Sequence, residues 1–98
     1  MRILMSNKTN SRKMQKVYIA GSARTPIGKF GGSLKSLSVA DLGTITAKAS
    51  LERAGIAPDA IEETFFGCGR QAGGGPNVAR QIAYRCKVPL NQAATTIN

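Results

Sequence analysis

Glycine-rich sequences that contain a cysteine and an arginine are the parts of this chain most suited to chemistry. Residues 67–72 read G-C-G-R-Q-A, which matches the G-x-G-x-x-A pattern that binds the pyrophosphate of a dinucleotide. In such sites the pattern leads directly into a helix, and an acidic residue about 20 positions later binds the ribose. Here residues 73–76 read G-G-G-P, and no acidic residue follows them. A dinucleotide site is therefore not predicted.

A second glycine-rich segment, residues 21–32, follows the apolar run at residues 17–20. Its Gly28-Lys29 pair resembles part of a phosphate-binding loop, but that loop needs four residues between its glycines and Ser or Thr after the Lys. Six residues separate Gly21 from Gly28, and Phe30 follows the Lys. Loops rich in glycine at the end of a strand usually serve a site or an interface, and this segment is predicted to do so without binding a nucleotide.

The chain has two cysteines, Cys68 and Cys86, and no histidine. Two cysteines are too few for a disulfide scaffold, and both are predicted to be small apolar core residues. The lack of histidine excludes catalysis by a histidine of this chain and any zinc site that contains histidine. No catalytic, cofactor-binding or metal-binding residue is predicted. Reduced cysteines fit a cytoplasmic location.

Positive charge is concentrated near the start of the chain. The net charge is +9, and residues 1–16 hold five basic residues and no acid, whereas residues 17–98 hold nine basic and five acidic residues. A basic tail can bind nucleic acid or acidic membrane, but this one lacks the aromatic residues that would stack on bases. It is predicted to be a solvated extension, with no nucleic-acid partner. No apolar run approaches the ~20 residues that span a membrane.

Residues 1–13 are predicted to form a basic extension outside the fold, which would occupy residues 14–98. They contain Arg and Ser and no acid, as organellar transit peptides do. Alternatively, Met14 is the natural initiator and the preceding residues are an over-long start. The second interpretation is favoured, with organellar import through residues 1–13 as the alternative.

The elements that must position these loops follow from hydrophobic periodicity. Residues 17–20 are predicted to be a buried strand. A helix is predicted over 38–54, capped by Ser38 and Asp41 and ended by Gly55. Its apolar stripe comprises Val39, Leu42, Ile45 and Ala49, and is widened by Leu51 and Ala54.

The second half of the chain repeats the alternation of strand and helix. After a short helical turn that begins at Pro58, residues 64–69 are predicted to be a strand covered on both faces. Asn77 is predicted to cap a second helix, and residues 93–97 to form a third strand. The buried stripe of the second helix comprises Val78, Ala79, Ile82, Ala83 and Cys86. The order β-α-β-α-β indicates an α/β fold with mainly parallel strands joined by crossover helices.

Four segments together resemble the N-terminal part of a thiolase. They are residues 22–28 (SARTPIG), 51–56 (LERAGI), 71–81 (QAGGGPNVARQ), and 87–89 (KVP) leading to 94–98 (ATTIN). The resemblance covers residues 14–98 and implies part of the thiolase fold, a layered αβαβα sandwich. It implies an acyl-CoA acyltransferase of the acetyl-CoA acetyltransferase type, with coenzyme A thioesters as substrates and a homodimer or homotetramer as the assembly.

The resemblance also implies that the nucleophilic cysteine of the family lies a few residues after Asn98. Neither Cys68 nor Cys86 matches that position, and this chain alone is predicted to bind no cofactor. The chain is therefore predicted to be a truncated N-terminal fragment, inactive alone. Two alternatives stay open: a small basic α/β interaction module that binds nucleic acid or protein, and one half of a split thiolase.

Five residues are predicted to belong to a site loop or an interface because they lie at the ends of strands or beside glycine-rich loops, where α/β proteins place their sites. They are Arg24, Asn77, Arg80, Thr96 and Asn98. The competing interpretation is structural, with Asn77 as a helix cap and Arg80 as a solvated helix residue.

Overall fold

The computed structural model describes residues 14–98. In chain order its elements are α1 (Val39–Ala54), a 3-10 turn (Pro58–Ala60), β1 (Glu63–Gly67), α2 (Val78–Arg85) and β2 (Ala93–Ile97). The predicted basic extension, residues 1–13, lies outside the described residues. No helix within residues 14–98 has the length and apolarity needed to cross a membrane.

Helix α1 begins and ends as its sequence predicts. The Ser38 hydroxyl accepts a hydrogen bond from the Asp41 N–H at 3.0 Å, and the Asp41 carboxylate accepts one from the Ser38 N–H at 2.8 Å. This reciprocal pair satisfies two backbone donors that a helix start leaves free. Gly55 ends the helix in the left-handed conformation, with φ 67°, which glycine adopts without steric cost. The predicted capping box and stop are confirmed.

The predicted apolar stripe of α1 is only partly correct: Leu51 packs against the core, and Leu42 and Ala49 are half-buried. Its buried residues are Ala40 and Thr44, whereas Ile45 is 52% exposed and Val39 is also exposed. The reason is the close approach of α2. A methyl group at Gly43 would overlap the side chain of Ile82, so the contacting face of α1 is built from small residues. The periodicity therefore assigned Val39 and Ile45 to the wrong face of α1, whereas it assigned Leu51 correctly.

Helix α2 lies against the sheet, and its predicted stripe is confirmed. All five stripe residues are buried: Val78, Ala79, Ile82, Ala83 and Cys86. All of them except Ala79 form one core cluster with Ala40, Ile61 and Val88, and Phe66 and Ala94 pack against it. The core therefore lies where α1, α2 and one face of the sheet meet.

Strands β1 and β2 are parallel neighbours, with Glu63 opposite Ala93 and Gly67 opposite Ile97. The α2 crossover between parallel strands confirms the α/β class. Side chains alternate between exposed and half-buried along both strands. The prediction that β1 is covered on both faces is wrong, since α2 lies on one face and Phe65 on the other is 57% exposed.

The strand predicted at residues 17–20 is not formed. This segment has no strand pairing, and Ile19 is 94% exposed. A cavity of about 690 Å³ lies between residues 17–19 on one side and β1 and α2 on the other. The segment is held to α1 just downstream, where Arg53 Nη1 donates to the Ser22 carbonyl at 2.9 Å. An apolar run predicts burial, but a strand also needs a hydrogen-bonded neighbour.

Candidate functional site

Three of the five predicted site residues meet where the first turn of α2 contacts β2. Asn77 Oδ1 accepts hydrogen bonds from the Arg80 N–H at 3.1 Å and from the Thr96 hydroxyl at 2.8 Å. Asn77 Nδ2 donates to the Ala94 carbonyl at 3.1 Å. Asn77 thus caps α2, as its sequence position predicts, and also joins the helix to the strand.

The Thr96 hydroxyl both donates and accepts a hydrogen bond. The hydroxyl donates to Asn77 and accepts from the Ala79 N–H at 3.0 Å. Thr96 lies on the helix-facing side of β2 and is half-buried. It therefore satisfies one of the free N–H groups at the start of α2.

Arg80 makes a further link to the chain just before β2. Its Nη2 donates to the Gln92 carbonyl at 2.5 Å. Its Nη1 is buried and has no hydrogen-bond partner within residues 14–98. The residue as a whole is half-buried, so its guanidinium holds the α2–β2 connection rather than extending into solvent.

The other two predicted residues lie apart from this cluster. Arg24 is exposed in the irregular segment before α1, and no hydrogen bond joins it to Asn77, Arg80 or Thr96. Asn98 follows β2 and is exposed. The strand ends are nevertheless held together, because the Cys68 N–H donates to the Ile97 carbonyl at 2.8 Å. A role for all five residues in a site or an interface stays a prediction.

The glycine-rich loop before α2 is held by a residue whose role the sequence did not reveal. Gln81 Nε2 donates to the Gly74 carbonyl at 2.8 Å and to the Pro76 carbonyl at 2.9 Å. Gly75 has φ 76°, a conformation that favours glycine. Gln81 stands one helical turn after the cap Asn77, and that spacing is the signal that could have indicated the contact.

The start of α2 is not an open anion site. The N–H groups of Ala79, Arg80 and Gln81 already donate to Thr96, to the Asn77 side chain and to the Asn77 carbonyl. A phosphate site at a helix start needs such groups free. The N–H groups of these three residues are therefore not available to a phosphate.

Neither cysteine is arranged as a nucleophile. Burial raises the pKa of the Cys86 thiol, although the nearby charge of Lys48 opposes that shift. A reactive cysteine needs a lowered pKa or an adjacent base. The Cys68 thiol donates to the Arg70 carbonyl at 3.4 Å, and the chain has no histidine. Within residues 14–98, no group of three or more histidine, cysteine or acidic residues could hold a metal ion.

Comparison with known proteins identifies the family. Residues 17–98 match the family profile described as "Thiolase, N-terminal domain". The chain belongs to the thiolase family. The predicted resemblance to thiolases is confirmed, and the structure is a small α/β part of that fold.

Relatives of this thiolase chain include proteins named acetyl-CoA acetyltransferase. One from Clostridioides difficile is 47% identical over 85 residues, which cover 87% of this chain and 79% of that protein. One from Syntrophomonas wolfei is 45% identical over 84 residues, which cover 86% of this chain and 21% of that protein. Relatives include a cytosolic form from Gibberella zeae and a mitochondrial form from Xenopus laevis.

A solved structure supports the same fold. The chain is similar to the Acat5 thiolase from Ascaris suum, crystallised in complex with coenzyme A, with a TM-score of 0.81 and 42% identity. The similarity covers 83% of this chain and 21% of that one. The chain thus spans about a fifth of the length of that thiolase and of the Syntrophomonas wolfei relative.

Proposed function

We propose that this chain forms the N-terminal part of an acetyl-CoA acetyltransferase, an enzyme that transfers acetyl groups to and from coenzyme A. The observation that carries the proposal is the match along residues 17–98, at 45–47% identity to proteins of that name. Binding of coenzyme A by the Ascaris suum thiolase supports coenzyme A thioesters as the substrates.

Acyl transfer by a thiolase needs a cysteine thiolate that attacks the thioester carbonyl. In the condensing direction the new bond joins sulfur to the acyl carbon and the coenzyme A thiolate leaves. In thiolysis of acetoacetyl-CoA the thiolate attacks the 3-keto carbon instead, the C2–C3 bond breaks, and the enolate of acetyl-CoA leaves and takes up a proton. Cys86 is unsuited to this role because it is buried with a raised pKa. The resemblance to thiolases instead assigns the nucleophile to a position just after β2. In this proposal the chain supplies β2, the strand that leads to the nucleophile, together with the elements that hold it. The chain alone then catalyses no turnover.

The test is to replace the matching segment of the Syntrophomonas wolfei enzyme by residues 17–98 of this chain. Thiolysis of acetoacetyl-CoA is then measured for the replaced enzyme and for the 98-residue chain. We expect activity from the first and none from the second. The control is the same replacement carrying Ile82→Asp, which places a charge among core residues and should unfold the segment.

Two results would contradict the proposal. A replaced enzyme that folds, by circular dichroism, and shows no thiolysis would remove the assignment to this reaction. Turnover by the 98-residue chain above a protein-free blank, retained after repurification, would overturn its inactivity.

We also propose that the protein is cytoplasmic and assembles as a homodimer or homotetramer. The reduced cysteines support the first proposal, because both are free and buried. The second rests on β2, which has no strand on its side away from β1 within residues 14–98. Fractionation of cells that express the tagged chain tests the location, with a mitochondrial signal as the contrary result.

A further inference from the structure

Hydrogen bonds from the first turn of α2 reach β2 and the residue before it at three alternate positions. Arg80 donates to the carbonyl of Gln92, Asn77 donates to the carbonyl of Ala94, and Thr96 bonds Asn77 and the Ala79 N–H. Positions 92, 94 and 96 all lie on the helix-facing side, as their half-burial shows. We call the bonds among Asn77, Ala79, Ala94 and Thr96 the α2–β2 clamp.

The clamp holds Asn77 in a conformation that few residues adopt. Asn77 has φ 36°, in the left-handed region that asparagine visits more readily than most residues. Both heteroatoms of its amide are used, and both roles of the Thr96 hydroxyl are used. A network in which every member is satisfied specifies one arrangement of its elements.

The clamp lies at the point where the chain leaves β2. Thr96 stands two residues before Asn98, and the Ile97 carbonyl between them accepts from the Cys68 N–H. The last residues of β2 are therefore fixed on one side to α2 and on the other to the end of β1. Small displacements of a reacting group lower rates severely, so the direction of the chain after β2 matters for any group carried there.

From these contacts we infer that Asn77 and Thr96 are positioning residues for acyl transfer. They touch no substrate, and they act by fixing the direction in which the chain leaves β2 at Asn98. The inference rests on the proposed function, in which the segment after β2 carries the nucleophile.

The first test uses the full 98-residue chain and Thr96→Val, which removes the hydroxyl and keeps the shape. Thr95→Val is the matched control, because Thr95 is the exposed neighbour on the opposite face. Losing a hydrogen bond of ordinary strength should speed amide exchange at Ala79 by roughly 5–10-fold. We expect residual dipolar couplings of Ile97 and Asn98 to change as well. Thr96→Ser should restore both readouts, and Thr95→Val should alter neither.

A second variant keeps the inference testable if Thr96→Val fails to fold. Asn77→Asp retains the oxygen that caps α2 but loses the donor to the Ala94 carbonyl. We expect α2 to remain and the couplings of Ile97 and Asn98 to change. The existence of the clamp is contradicted if Thr96→Val folds and amide exchange at Ala79 is unchanged. It is also contradicted if Asn77→Asp folds and the residual dipolar couplings of Asn98 are unchanged.

The last test places Thr96→Val in the Syntrophomonas wolfei enzyme that carries residues 17–98. We expect kcat to fall about tenfold with KM for acetoacetyl-CoA unchanged, since neither residue touches substrate. Thr95→Val should have the parent kcat, and Thr96→Ser should recover most of it. If the replaced enzyme without further substitutions has no activity, the proposed function is contradicted. The amide exchange and dipolar couplings of the 98-residue chain then still show whether the α2–β2 clamp exists. A normal kcat in Thr96→Val overturns the positioning role.

Discussion

At the scale of single residues, Asp41 connects a helix start to a second helix. Its carboxylate accepts from the Ser38 N–H at 2.8 Å and pairs with Arg85 at 2.8 Å. The hydrogen bonds with the Ser38 backbone and side chain, and then Arg85, lower the pKa of Asp41 below its ordinary 3.8. The pair with Arg85 is exposed and contributes little by itself, so the cap is the main role of Asp41.

The lowered pKa gives a pH dependence with a definite sign. The folded state favours the carboxylate, so Asp41 stabilises the fold above pH 3.8 and this contribution is lost as the pH falls through its lower folded-state pKa. We expect Asp41→Asn to lower the Tm at pH 7 and to match the parent near pH 2. Thermal melts across this range check the expectation, with Ser38→Ala as the control that removes the other half of the cap. An equal Tm difference at both pH values would contradict it.

At the scale of elements, sequence predicts what is local and fails where two distant segments meet. The capping box of α1 and the asparagine cap of α2 lie within four residues of chain, and both were predicted. The buried face of α1 was predicted only in part, because Gly43 receives Ile82 from a helix about 40 residues away. Likewise, Asn77 and Thr96 were predicted from their positions beside a loop and near a strand end, whereas their hydrogen bonds depend on how β2 lies against α2.

The exposure of residues 17–20 can be measured, and it separates what an apolar sequence predicts from what packing against distant segments allows. Ile19 lies in an apolar run and Ile82 in the apolar stripe of α2, but Ile19 is 94% exposed and Ile82 is 1% exposed. Shortening a buried isoleucine by one methyl group costs about 0.5–1.5 kcal/mol, and the same change in solvent costs almost nothing. We expect Ile82→Val to lower the free energy of unfolding by about 1 kcal/mol and Ile19→Val to leave it unchanged. Urea unfolding measures both. An equal loss at the two positions would show that Ile19 is buried in solution, as the apolar character of residues 17–20 predicts.

At the scale of the whole molecule, residues 14–98 leave apolar side chains exposed on the face of the sheet that points away from α2. The outer face of the sheet exposes Phe65 and Ile97, and β2 contains no charged residue. Exposed apolar surface beside an unpaired strand edge is a typical site of association.

We therefore expect the purified chain to self-associate through β2. Charged side chains on an edge strand oppose such pairing, so Thr95→Lys should shift the chain toward monomer. Ser36→Lys adds the same charge at an exposed position between residues 14 and α1, and it should leave association unchanged. Sedimentation velocity over a range of concentrations measures the distribution for the parent and both variants. A parent that is monomeric at every concentration and melts in one sharp cooperative transition would show that residues 14–98 form a self-sufficient domain. That result would contradict both the homo-oligomer and the role of β2 as its edge.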